Sequence, residues 1–115
     1  MVTREQILSG IEHFVVNDVI SKVQDKALQI IIDTALAIMK RRPELLDKYI
    51  NNSLFKTDKG YDIDMMVEVT KSSINKLGAF PVVFPAIPFI SPNEKILSFS
   101  ADDIDTLANY IKGAK

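Results

Sequence analysis

The stretch "DKALQIIIDTALAIMKRR", residues 25–42, predicts the strongest helix of the chain and with it a mainly helical fold. Apolar residues recur at the spacing of one helix face: Leu28, Ile31, Ile32, Ala35, Ile38 and Met39. Ile30 and Leu36 lie beside this stripe, so the apolar face is wide. A wide face is typical of a central helix that is contacted from more than one side. We therefore expect Ile31 and Ile38 in the core and Ile30 at its periphery.

Both ends of this helix carry sequence signals. Ser21 with Gln24 matches a capping box, which predicts a helix start just after Ser21. Lys40, Arg41 and Arg42 supply positive charge that offsets the negative end of the helix dipole. Pro43 stops the helix and suits the first turn of the next one, which we expect over about 43–52.

Similar signals predict the other helices. Thr3 with Gln6 forms a capping box before a first helix, whose apolar stripe is interrupted near residues 17–18. After a turn at residues 56–60, a fourth helix is expected from about 62 to 77. Ser100 is a good N-cap for a final helix that ends at residue 113.

The stretch "GAFPVVFPAIPFISPNEKILSFS", residues 78–100, breaks the helical pattern. Residues 80–90 are all apolar or proline, and their prolines exclude a regular helix and a central strand. "SPNE", residues 91–94, favours a type I turn, so we expect a Pro-rich extended segment with a β-hairpin over about 86–99. The predicted fold class is therefore α+β, mostly helical: about four N-terminal helices, this segment and a C-terminal helix in a single domain, 1–115.

Composition excludes several classes of function. The chain has 115 residues, 47% hydrophobic and 25% charged, which is typical of a globular domain. Its net charge of −1 gives no basic excess, so we expect no nucleic acid. The absence of cysteine rules out disulfides, thiolate nucleophiles and cysteine-based metal sites. No run of 18 apolar residues and no apolar leader region occurs, so we expect no membrane span, no signal peptide and a cytoplasmic location.

The residues that could carry chemistry form no catalytic or metal-binding pattern. His13 is the one histidine, and no motif places a nucleophile beside it, so we interpret it as a surface or boundary residue. Asp62 and Asp64 suggest a cation site, but the EF-hand spacing counted from Asp58 meets Ile63 where it needs glycine. Helix-start acids, which the dipole favours, explain them better, as they explain residues 102–105. We expect no catalytic, cofactor-binding or metal-binding residues.

Two further motifs favour structural interpretations. The basic group Lys40, Arg41 and Arg42, with Lys48 nearby, could contact phosphate or an acidic partner, although its place at a helix end explains most of it. The run from Pro85 to Pro88 matches PxxP, but it lacks an adjacent basic residue, so burial is expected over presentation to a proline-reading domain.

The leading functional hypothesis is a small non-enzymatic protein for protein–protein interaction or assembly. Residues 78–99 carry more large apolar side chains than a lone hairpin needs, and prolines guard such an edge against indefinite pairing. The candidate interaction surface comprises Phe80, Val82, Phe84, Ile87, Phe89 and Ile90. We expect this surface to cover helices of another copy, in a homo-oligomer, most simply a dimer, or in a larger assembly such as a phage particle. A residue usage rich in Ile, Lys, Asn and Asp is compatible with a phage or mobile element.

Two alternatives stay open. A small enzyme or ligand-binding domain would place a pocket between the hairpin and the helices, with Tyr61, Asp62, Asp64 or His13 as its polar groups. An inhibitor or immunity-type binder would have one exposed patch and no oligomer. Whether the chain is an enzyme is thus open, and the absence of catalytic motifs favours a non-enzyme.

Overall fold

The structure is a computed structural model that describes residues 1–51, 55–77 and 100–114. These ranges form five α-helices: α1 Arg4–Phe14, α2 Lys26–Arg41, α3 Pro43–Ile50, α4 Ile63–Leu77 and α5 Ala101–Gly113. A short antiparallel hairpin pairs β1 Lys56–Thr57 with β2 Gly60–Tyr61. The prediction of a mostly helical α+β fold is confirmed. The extended segment and the hairpin predicted over 86–99 lie outside the described residues.

Among the described helices, α1 and α5 share the most extensive contact, and they run antiparallel. Their capping boxes, Thr3 with Gln6 and Ser100 with Asp103, start both helices as local sequence signals. Both helices bury the apolar residues of one face. The helices approach so closely that a Cβ on Gly10 would lie 2.5 Å from the Ile111 Cα, so only glycine fits there.

The end of α1 is irregular. A π-helical turn, Val15–Val19, and a 3-10 turn, Ile20–Lys22, follow the α-helix directly. The sequence interruption at residues 17–18 coincides with this change of winding. The irregular turns keep Val15 and Val19 in the core while they lead the chain towards α2.

Helix α2 begins later in the chain than its sequence predicts. It begins after Asp25, whose carboxylate accepts hydrogen bonds from the Ala27 and Leu28 backbone N–H groups at 2.9 and 3.3 Å. The predicted start after Ser21 is wrong because the Ser21 hydroxyl donates to the Asn17 carbonyl oxygen instead. Pro43 ends α2 and opens α3 as predicted.

The core-facing side of α2 consists of four buried residues: Leu28, Ile32, Leu36 and Met39. Our placement of Ile31 and Ile38 in the core is wrong, since they are 50% and 42% exposed. The physical reason is that α2 has two apolar stripes, and its contacts with the 3-10 turn and α3 cover one of them. The expectation of a helix covered on several sides is not met by the described residues.

The hairpin ties the N-terminus to the core. Val2 exchanges two backbone hydrogen bonds with Tyr61, of 3.0 and 2.8 Å, and so extends the sheet by one bridge. Gly60 has a φ of 135°, in the region that favours glycine, which suits the end of the predicted turn. The hairpin thereby places Phe55 and Tyr61 among the buried residues.

Helix α4 packs antiparallel on α5. Ile63, Met66 and Thr70 are buried on its apolar face, and Thr70 donates to the Met66 carbonyl oxygen at 2.7 Å. Two ion pairs join the helices, Lys112 with Asp64 near the start of α4 and Lys71 with Asp105 near its middle. Within the described ranges, no helix combines the length and the apolar composition that crossing a membrane requires.

Candidate functional site

The most distinctive surface of the described residues is an uncovered apolar face on α2. We call it the outer face of α2, and it comprises Ala27, Ile30, Ile31, Thr34 and Ile38, all of which are exposed. Six large apolar side chains are exposed in the described part of the chain, and three of them belong to this face. Ile30 is 66% exposed, and Ile31 and Ile38 are 50% and 42% exposed. Three isoleucine side chains of this face therefore contact solvent.

The charged residues of α2 lie near its two ends, apart from Asp33 in the middle of the helix. Lys40 reaches α1, where its Nζ lies 2.8 Å from Glu12 Oε1. Arg42 Nε lies 2.9 Å from Glu44 Oε1, and this hydrogen bond is the main cause that lowers the pKa of the Glu44 carboxyl. Arg41 lies at the carboxyl end of the outer face and has no ion-pair partner among residues 1–51, 55–77 and 100–114. The predicted basic group is therefore mostly used within the fold, and Arg41 remains available.

His13 lies on a separate surface, between α1 and α5. It is exposed and stacks on Tyr110, with ring centroids 6.4 Å apart and an interplanar angle of 17°. Both rings line an open cleft of about 410 Å³ with Ser9 and Asn109. The interpretation of His13 as a surface residue agrees with this position, and neither acidic candidate, Asp62 nor Asp64, reaches the cleft.

The π-helical turn places Asp18 beside the same tyrosine. The hydrogen bond with the Asp18 carboxylate, followed by burial, raises the pKa of the Tyr110 hydroxyl. The carboxylate oxygen Asp18 Oδ2 is buried and finds no partner among the described residues. Sequence reasoning missed this contact, because it depends on the register of α1 against α5 and on the irregular turn.

The acidic candidates meet at a second groove. Asp62 and Asp64 line a groove of about 530 Å³ with Gln6 and Lys112. Asp62 Oδ1 accepts a hydrogen bond from the Met65 backbone N–H at 3.1 Å, as a helix cap does. Asp64 Oδ1 lies 2.7 Å from the Lys112 ammonium. Both carboxylates are thus engaged in the fold, and no group of three metal-binding side chains occurs in the ranges that the structure describes.

Tyr61 joins neither cleft. Its hydroxyl donates to Asn51 Oδ1 at 2.8 Å, and burial followed by the charge of Asp47 raises its pKa. Asp47 in turn accepts two hydrogen bonds from Arg4, at 3.2 and 3.0 Å, which tie α1 to α3. The four polar groups that an enzyme would use are therefore distributed over three places.

The sequence marks the outer face of α2 as apolar. It predicts Ile31 and Ile38 of this face in the core, whereas the structure exposes them. Ala27, Ile31, Thr34 and Ile38 follow one another at spacings of four, three and four residues, as the buried stripe of α2 also nearly does. This repeat is a signal for helix pairing, although spacing alone does not say which stripe meets the core. The candidate surface of Phe80, Val82, Phe84, Ile87, Phe89 and Ile90 lies outside the described residues and stays a prediction.

Comparison with known proteins assigns no relative to this fold. No family model matches the chain, and no curated protein or solved structure shows significant similarity to it.

Proposed function

We propose that the protein is a small non-enzymatic assembly protein that acts through protein–protein contact and forms a homo-oligomer, most simply a dimer. The observation that carries this proposal is the exposed outer face of α2, where Ile31 and Ile38 are 50% and 42% exposed. Contiguous apolar surface of this kind typically marks an interaction site on a small protein. Such a protein would work in the cytoplasm or as part of a virion.

The remaining sites favour assembly over catalysis. The acids at the second groove, Asp62 and Asp64, already serve as a helix cap and an ion-pair partner. His13 and Tyr61 lie away from them, so a substrate at that groove would meet neither group. A binding role for the predicted surface at residues 80–90 adds a second apolar region to the same proposal.

Sedimentation velocity over a range of concentrations tests the proposal. We expect the wild-type protein to change from monomer to dimer as its concentration rises through the micromolar range. Replacement of Ile31 by lysine puts a charge on the outer face of α2 and should keep the protein monomeric. The matched control is Val16→Lys, since Val16 is also 50% exposed but lies on the π-helical turn. This control should leave the dimer intact.

Two results would count against the proposal. A wild-type protein that stays monomeric at high micromolar concentration would favour the inhibitor or immunity-type binder, which needs an exposed patch but no oligomer. Equal loss of association in Ile31→Lys and Val16→Lys would show that added charge, and not the outer face of α2, determines the assembly state. Circular dichroism of each variant verifies that its helices are retained.

A further inference from the structure

The outer face of α2 has the pattern of a helix that pairs with another helix. Four of its five residues form a repeat that alternates in size, with Ala27 and Thr34 small and with Ile31 and Ile38 large, while Ile30 lies at the edge of the face. The spacing of four, three and four residues keeps these side chains in one line along the helix. α2 has 16 residues and is therefore about 24 Å long, so this line extends over most of its length.

We propose that two copies of this chain pair through the outer faces of their α2 helices, which run antiparallel about a two-fold axis. This inference rests on the proposed function and names its interface. An antiparallel pair sets Ile38 against Ala27 of the second copy and Ile31 against Thr34 of the second copy. Each layer of the four-residue repeat then combines one large and one small side chain, which fills the space between the helices evenly.

A parallel pair would fit less well. Each residue would meet its own counterpart, so two isoleucines would alternate with two alanines or two threonines. The layers would differ in width, and the layers of small residues would leave voids where contacts are lost. Uneven packing thus disfavours the parallel arrangement on the residues of the outer face alone.

Charge favours the same orientation. Arg41 lies on the outer face at its carboxyl end and has no ion-pair partner in the described part of the chain. In the antiparallel pair it lies level with Gln24 of the second copy and next to Asp25, an exposed acidic residue of that copy. In a parallel pair, the two Arg41 side chains would meet each other, and like charges at an interface oppose association.

The size of the face indicates a weak dimer. A stable interface buries roughly 800 Å² on each partner, and one helix about 24 Å long offers less than that. We therefore expect association in the micromolar range. A second copy suits the face because it supplies a helix of equal length with the complementary order of large and small residues.

Disulfide trapping tests the orientation, and the absence of native cysteine makes it specific. Ala27→Cys and Ile38→Cys are prepared separately, one of them with a mass tag, and are mixed under mild oxidation at a concentration where the wild type is dimeric. The antiparallel pair brings position 27 next to position 38 of the second copy, within the Cα separation of about 4.4–6.8 Å that a disulfide needs. We expect a tagged–untagged disulfide dimer from the mixture and almost none from either variant alone.

The outcomes separate the inference from the proposed function. Disulfide dimers from each single variant alone would show parallel helices and overturn the inference. No trapped dimer in the mixture, while the wild type sediments as a dimer, would overturn the inference and leave the proposed function standing. A wild-type protein that stays monomeric would contradict both the inference and the proposed function. As a control, a mixture of Val16→Cys and Ile38→Cys measures the disulfide yield that random collision gives. If this yield equals that of the Ala27→Cys and Ile38→Cys mixture, the inference is also overturned.

Discussion

The α1–α5 interface and the outer face of α2 are built from similar residues but have opposite exposure. Ile7 and Ile11 on α1, and Ile104 and Ile111 on α5, are completely buried. Ile30, Ile31 and Ile38 on α2 also follow helical spacing, yet they are exposed. The difference shows that apolar periodicity identifies a helix face, while the presence of a neighbouring element determines whether that face is buried.

The apolar faces of α1 and α5 are buried because the backbones of the two helices pack closely together. Gly10 has no Cβ, so the α1 backbone lies against Ile111. Near the carboxyl end of α5, Gln6 Nε2 donates to the Ala114 carbonyl oxygen at 2.9 Å, and Tyr110 lies beside Asp18. The described residues place no comparable element against the outer face of α2.

The largest expected effect is a difference in unfolding free energy between alanine variants of two neighbouring isoleucines of α2. Ile32 is fully buried and Ile31 is half exposed. Ile32→Ala should lower the free energy of unfolding by about 2–5 kcal/mol, because it removes buried methyl groups and leaves a cavity. Ile31→Ala should change it by less than about 1 kcal/mol, since alanine also has the higher helix propensity. Urea titration at low protein concentration, where the monomer dominates, measures both variants.

The adjacent Ile30→Ala variant is the control for this comparison, because Ile30 is also exposed. It should resemble Ile31→Ala. Losses of equal size in the Ile31 and Ile32 variants would mean that both stripes of α2 are buried in the monomer, and the contrast between the two regions would disappear.

The next effect concerns the close approach of α1 and α5. In Gly10→Ala, the added Cβ would lie 2.6 Å from the Ile111 backbone nitrogen, so the helices must separate. Overpacking of this kind costs about 1–3 kcal/mol, and the upper part of that range applies because the added Cβ meets backbone atoms that cannot rotate away. This cost exceeds the roughly 1 kcal/mol that alanine adds through helix propensity. Differential scanning calorimetry should therefore show a lower Tm.

Gly113→Ala is the matched control, since a Cβ at Gly113 would have no neighbour within 4 Å. We expect its Tm to stay close to that of the wild type. A Gly10→Ala protein with an unchanged or higher Tm would refute the close backbone contact between α1 and α5.

The smallest effect is the contribution that Tyr110, on the α1–α5 side, makes to the pH dependence of stability. The pKa of Tyr110 is raised in the folded state, first by its hydrogen bond with Asp18 and then by burial. A raised folded-state pKa contributes stability that is complete below the unfolded value near 10 and is lost as the pH rises through the folded-state value. Wild-type stability should thus fall more steeply above about pH 10 than that of Tyr110→Phe.

Denaturant titrations at several alkaline pH values, with tyrosinate absorbance as a second signal, measure this slope. Tyr61 also has a raised pKa, so Tyr110→Phe should reduce the slope without removing it. Identical slopes in the wild type and in Tyr110→Phe would mean that Tyr110 titrates in the same way in the folded and unfolded chains.

Local signals predicted much of the fold. The capping residues Thr3 and Ser100 start α1 and α5, and Pro43 separates α2 from α3. These features depend on backbone groups within a few residues, so neighbouring sequence is sufficient to predict them. Ser21 was the exception, because its hydroxyl has a competing acceptor one turn earlier, in the irregular end of α1.

The candidate site was less predictable. The sequence identifies the outer face of α2 as largely apolar, but it predicts Ile31 and Ile38 in the core, and the structure shows both exposed. A helix with two apolar stripes gives no local preference for one of them. The choice depends on where the 3-10 turn and α3 lie, which are contacts distant from the stripe itself.

The sequence by itself determined the mainly helical class, most helix ends, and the absence of cysteine chemistry, because these follow from short-range hydrogen bonding and composition. Only the tertiary structure decided that Gly10 meets Ile111, that Asp18 meets Tyr110, and that Leu36 and not Ile38 faces the core. Those outcomes depend on how helices separated in the chain pack together. Packing selects one arrangement from several that the same apolar spacing allows.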